Sequence, residues 1–179
     1  LDGNTNAGNS DLFVVKYNSS GTKQWTKQLG TGEYDEARGV ATDLSGNVYV
    51  VGGTKGKLAG ASNSGRTDVF LIKYNSSGTK QWTKSLGSNE TDLANGVATD
   101  LSGNVYVTGV TYGGLDGNTS AGNSDLFVVK YNSSGTKKWT KQLGSASSDR
   151  SSNRDHARGV VTDSSGNVYV TGDTYGGVD

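Results

Sequence analysis

Along residues 11–18, "DLFVVKYN", Phe13, Val15 and Tyr17 fall on one face, and Leu12 and Val14 fall on the other with Lys16. Both faces are largely apolar, which predicts a strand covered on both sides. Residues 23–29, "KQWTKQL", set Trp25, Lys27 and Leu29 against Gln24, Thr26 and Gln28. That pattern predicts a half-exposed strand whose lysines suit a sheet edge. "GVATD" from Gly39 is short and small, and "NVYVVG" from Asn47 is again apolar on both faces. The turns "NSSG" (18–21) and "DLSGN" (43–47) combine Asx side chains with Gly, as tight hairpins require. No helical stripe occurs, and this much Gly would be costly in helices.

The whole pattern recurs. The first stretch returns from Asp68 and again from Asp125, each time 57 residues on. The second returns at Gly96, 57 residues after Gly39, and at Gly159, which is 63 residues later because six residues enter within "SASSDRSSNRDH". Such a period marks a repeat architecture. Units 1–57, 58–114 and 115–179 each hold four short strands, the last with the insertion and the start of a further unit. A four-stranded meander with two apolar faces cannot bury both alone, so neighbouring units must stack. The expected fold is all-β, built of β-propeller blades around an axis. Outward from that axis the order is A ("GVATD"), B ("NVYVVG"), C ("DLFVVKYN") and D ("KQWTKQL").

"GVATDLSGNVYVTG" and "DLFVVKYNSSGTKQWTKQLG" resemble the bacterial SBBP (seven-bladed β-propeller) repeats, three times over. The resemblance implies blades in an extracellular or cell-surface bacterial protein. It carries no catalytic residues. Three units fall short of the usual closed number, about 4–8 blades.

Leu1 aligns with Leu58, Leu115 and Val178, which places the break in the B–C connection. The chain then supplies C and D, two full blades, and A and B. These complementary half-blades are expected to pair in trans. Two chains give a six-bladed ring; an open filament, or continuation into a larger propeller, is the alternative. Three blades in a closed ring would need wedges of about 120° against the roughly 45–90° of 4–8 blades.

Composition narrows the function. Lys plus Arg and Asp plus Glu both number 17, so no basic excess suggests nucleic acid. No apolar run spans a bilayer. Cys is absent, which excludes disulfides and thiolate metal sites. The chain is 31% hydrophobic, and its 28 glycines suit short strands and tight turns.

Alternating strands put the B–C and D–A loops on one face of the ring. Every long or differing loop lies there, so any ligand, glycan or protein, is expected at Tyr34, Arg66, Tyr112, Arg150, Arg154 and His156. "DGNTNAGNSD" spaces oxygens as a calcium loop begins, making Asp2, Asn4, Asn6, Asp116 and Asn118 metal candidates. No Glu stands at the twelfth place, so a turn cluster is favoured and no cofactor is expected. The recurring Asp35, Asp92 and Asp155, and Asp43, Asp100 and Asp163, suit backbone capping. His156, the single histidine, is expected on an exposed loop without a partnered nucleophile. Trp25, Trp82 and Trp139 are expected to pack on adjacent blades rather than stack on sugars. Sequons at Asn18, Asn75, Asn89, Asn118 and Asn132 raise glycosylation, although three are the "NSSG" turn. The leading expectation is a non-enzymatic extracellular scaffold that binds a partner or self-associates. A lectin-like propeller and a filament subunit are the alternatives.

Overall fold

The computed structural model describes residues 3–145 and 153–177, and among them there are twelve strands and no α-helix. Two strands open the fold, β1 (Leu12–Tyr17) and β2 (Lys23–Leu29), paired only with each other. Then come β3 (Asp35–Thr42), β4 (Val48–Thr54), β5 (Asp68–Tyr74) and β6 (Lys80–Leu86), an antiparallel sheet in that order. The next sheet repeats it with β7 (Asp92–Thr99), β8 (Val105–Thr111), β9 (Asp125–Tyr131) and β10 (Lys137–Leu143). A pair, β11 (Asp155–Thr162) and β12 (Val168–Thr174), follows. The fold is thus all-β, with two full blades between two half-blades, and the order A-B-C-D is the one the residue pattern predicts.

The first strand of each blade starts four residues earlier than "GVATD" suggests. A bulge causes this. Pairing shifts between Ala37 and Gly39, between Ala94 and Gly96, and between Ala157 and Gly159. The bulge swings a carbonyl over the facing strand, where only glycine fits. A Cβ on Gly52, Gly109 or Gly172 would stand 1.8, 1.9 or 1.9 Å from the carbonyl oxygen of Glu36, Leu93 or His156.

The inner strands β3, β7 and β11 lie side by side. Thr99 donates its hydroxyl to the Thr42 carbonyl at 2.8 Å, and Thr162 does the same to Thr99 at 2.9 Å. Arg38 donates to Asn95, whose amide in turn donates to the Ala157 carbonyl. Between blades sit two apolar cores. Leu12, Val14, Val50, Leu58, Phe70 and Ile72 join the first half-blade to the first full one. Tyr49, Val51, Leu71, Val107, Leu115 and Phe127 join the two full blades. Each core takes alternate residues from both sheets, so the two-sided apolar strands are consumed by stacking.

The A–B turns are held by carboxylates. Asp43 accepts from the backbone of Ser45 and Asn47, the Asn47 amide and the Tyr49 hydroxyl, and Asp100 repeats this with Ser102, Asn104 and Tyr106. Burial alone raises their pKa values, but these bonds, Asn47 and Asn104 foremost, bring both below the usual carboxylate value. A carboxylate depressed in the fold contributes stability above its unfolded pKa and loses it as pH falls through the folded value. Asp68 works oppositely, because burial raises it. We expect thermal stability to be flat from neutral pH to about 5 and to fall below about pH 4. Stability that rose on acidification in a calorimetric pH series would contradict the capping account.

Candidate functional site

The same residue meets different surroundings in each unit. Phe70 and Phe127 are 0% exposed, while Phe13 on β1 is 56% exposed. Tyr49 and Tyr106 are 0% and 1% exposed, while Tyr169 on β12 is 56% exposed. Strands β4 and β8 are buried at all seven positions, but β12 is open along its length. Tyr17 and Val40 at the first end, and Val161 and Val170 at the last, are likewise exposed. The cause is geometric. Among the described residues no strand pairs with the outer edges of β1 and β12, and no further sheet covers the faces beyond them. Where a first A–B pair would lie there is a cleft of about 320 Å³, lined by Phe13, Val14, Val15, Ala37, Val40 and Val50. The sequence located the two edges; the exposed side chains needed coordinates, although the signal was a residue type buried in its sister units.

The second group is the loop face. Strand direction brings Tyr34, Arg66, Tyr112 and Arg154 to it, each beside a strand end. Tyr34 is exposed and lies under the Lys55 ammonium at 4.9 Å. Arg66 faces Glu90 at 3.7 Å, both on the surface. The Tyr112 amide donates to the Thr91 carbonyl, and Arg154 accepts likewise from Tyr175. These residues are spread over three junctions and do not converge on one centre. Arg150 and Asp2 lie outside the described residues.

The calcium candidates serve other partners. Asp116 accepts from Lys137 and Thr140, Asn118 donates to the Leu115 carbonyl, and Asn6 accepts from its neighbour Gly8. Asn4 also has a partner. Among the described residues no three His, Asp or Glu side chains gather as a metal group.

His156 departs from expectation. It stands on β11, not on an exposed loop, and its side chain is only 17% exposed. The bulge explains this, because it carries the strand upstream of Gly159. His156 Nε2 lies 3.1 Å from the Ser124 hydroxyl, and Nδ1 lies 3.9 Å from Asp173. Burial lowers its pKa; Asp173 opposes that, and Arg158 and Arg154 add to it. A serine, histidine and aspartate thus meet, but Ser124 is fully buried. Its backbone N–H is donated to the Asn153 carbonyl, and Asp173 is held at 2.7 Å by Arg158. A nucleophile requires an open approach and aligned bonds to its base. Here the trio ties the last half-blade to the loop before β9.

The recurring Asp35 and Asp155 cap as their repetition suggests. Asp35 accepts from the Thr31 backbone and hydroxyl and from Thr54, and Asp155 accepts from Ser145 and Thr174. Asp11, Asp68 and Asp125, at the head of strand C in every unit, form a third capping set that strand alternation alone does not mark out. Each takes a loop N–H, from Ala7, Ser64 and Ala121 respectively.

Stacked four-stranded antiparallel sheets, flanked by two-stranded half-sheets, define a segment of β-propeller blades. The chain belongs to the SBBP beta-propeller repeat family, which matches residues 24–58, 81–116 and 138–177. It is 27% identical over 168 residues to an uncharacterized WD repeat-containing protein of Acanthamoeba polyphaga mimivirus, covering 78% of this chain and 12% of that protein. It is 28% identical over 164 residues to the regulatory protein FlaEY of Caulobacter vibrioides, covering 83% of this chain and 17% of that protein. The chain therefore spans less than a fifth of these relatives' lengths.

Proposed function

We propose that this chain is a non-enzymatic repeat scaffold that completes itself in trans. Strand β12 of one copy adds to β1 of a second, making a hybrid blade of β11, β12, β1 and β2. The observation that carries this reading is the open state of Phe13 and Tyr169, whose sister residues are buried. The internal blades supply the register. Val48 pairs with Tyr74, Val50 with Ile72 and Thr54 with Asp68. By equivalence Val168 pairs with the second copy's Tyr17, Val170 with its Val15 and Thr174 with its Asp11.

The contact is heterologous, so it closes a ring or runs on as a filament. Two copies closing on each other give six blades, a common propeller size, and that ring is the favoured form. An extracellular or cell-surface setting, implied by the family likeness, belongs to this proposal. So does the loop face of Tyr34, Arg66, Tyr112 and Arg154 as the place for a glycan or protein ligand.

Light scattering across micromolar concentrations tests the reading. A sharp dimer mass supports the ring and a broad high mass the filament. A monodisperse folded monomer at every concentration overturns both.

A further inference from the structure

Each C–D turn after the first lies on the tryptophan of the blade before it. The Ser76 carbonyl, in the "NSSG" turn of the first full blade, accepts from Lys16 Nζ at 3.0 Å and Trp25 Nε1 at 3.2 Å. One unit on, the Ser133 carbonyl accepts from Lys73 Nζ at 3.0 Å. The glycines closing these turns press on the rings. A Cβ on Gly78 would stand 2.9 Å from the Trp25 ring, and one on Gly135 would stand 3.1 Å from Trp82.

The series has one unmatched seat and one unmatched turn. Trp139 is 37% exposed, yet its ring is already set 6.1 Å from Tyr106, as Trp82 is set 6.0 Å from Tyr49. Lys130 lies over Tyr106 at 5.0 Å, as Lys73 lies over Tyr49 at 5.2 Å. Among the described residues no turn carbonyl accepts from Lys130. Conversely, no ring of the described residues lies on the glycine that closes the 18–21 turn: a Cβ on Gly21 would meet no atom within 4 Å.

We infer that Trp139 and Lys130 form a preset docking seat for the 18–21 turn of a second copy of this chain. Lys130 Nζ and Trp139 Nε1 donate to the second copy's Ser19 carbonyl, and its Gly21 covers the indole. The inference rests on trans completion and adds a contact separate from the β12–β1 ladder. An ammonium and an indole N–H sharing one carbonyl over an aromatic face make this the most specific point of the seam. The ladder alone tolerates slippage by two residues, because strand faces repeat at that interval.

Gly21→Asn tests it. Asn tolerates the positive φ of 78° found there, and the isolated chain has room for it. Its side chain collides only with a docked Trp139. The expected result is an unchanged melting temperature in dilute solution and at least about a tenfold rise in the concentration for half-assembly, a change of about 1.4 kcal/mol. Oxidative footprinting read by peptide mass spectrometry should show Trp139 protected in the wild-type assembly and open in the variant. Should Gly21→Asn misfold, Lys130→Met removes the donor while keeping an unbranched apolar stem toward Tyr106, and is expected to weaken assembly several-fold. A wild-type assembly in which Trp139 is labelled as freely as in the monomer overturns the seat and leaves trans completion standing. So does equal assembly by the correctly folded variants. A wild-type chain that never assembles overturns both.

Discussion

Phe127→Ala is expected to cost about 3–5 kcal/mol of folding stability, the usual range for emptying a buried phenylalanine site. Phe127 is fully buried in the core between the two full blades, against Val51, Leu71 and Leu115. Phe70→Ala should match it, since Phe70 is equally buried between the first half-blade and its neighbour. Phe13→Ala removes the same side chain from the same place in the repeat. In a dilute, unassembled chain it should cost less than about 1 kcal/mol, because most of that ring already faces water. Its cost should appear instead as lost association, by about 2–3 kcal/mol or roughly 30–150-fold. Denaturant unfolding at low concentration, beside light scattering at high concentration, separates the two. Equal unfolding penalties for Phe13→Ala and Phe127→Ala would mean the first half-blade is covered within a single chain.

Gly109→Ala is the second large effect. The added methyl would sit 1.9 Å from the Leu93 carbonyl oxygen, a backbone atom fixed by the β7 bulge. No side-chain rotation relieves that contact, so the bulge must move or the β7–β8 pairing must open. A penalty of at least about 3 kcal/mol is expected, near the upper end for overpacking. In a domain of this size that lowers the melting temperature by about 6–12 °C. Gly172→Ala meets the same clash from the His156 carbonyl, but on a half-blade with a free edge. Its damage should stay local in the monomer and show up as lost assembly. A Gly109→Ala protein that melts with the wild type would refute the role of the bulge.

How far the residues announced all this depends on the distance over which each feature acts. Strand and turn signals act locally. Alternation in "DLFVVKYN" and Asx–Gly pairs in "DLSGN" therefore located strands and hairpins, and period 57 supplied the stacking. The bulge before Gly39 acts across strands. It lays the Glu36 carbonyl over Gly52 on the facing strand, and no pattern within residues 35–42 reports it. That omission displaced His156 from strand to loop. The once-per-unit spacing of the tryptophans points to blade contacts, but the Ser76 carbonyl that anchors Trp25 is 51 residues away and is visible only in three dimensions. The loop-face residues follow from strand direction alone, and their scatter over separate junctions reflects side-chain positions that direction does not fix.

The threonine ladder has a direction. Thr162 donates to Thr99 and Thr99 to Thr42, never the reverse. The inner rim is therefore vectorial, with a spare hydroxyl at Thr42 and a spare carbonyl at Thr162 facing opposite ways round the axis. Two copies meeting by their Thr162 ends would set carbonyl against carbonyl with no proton to share, and two meeting by their Thr42 ends would turn the ladder back on itself. In the proposed assembly only a meeting of unlike ends would continue the ladder from hydroxyl to carbonyl, and each copy added that way would keep the same sense of rotation.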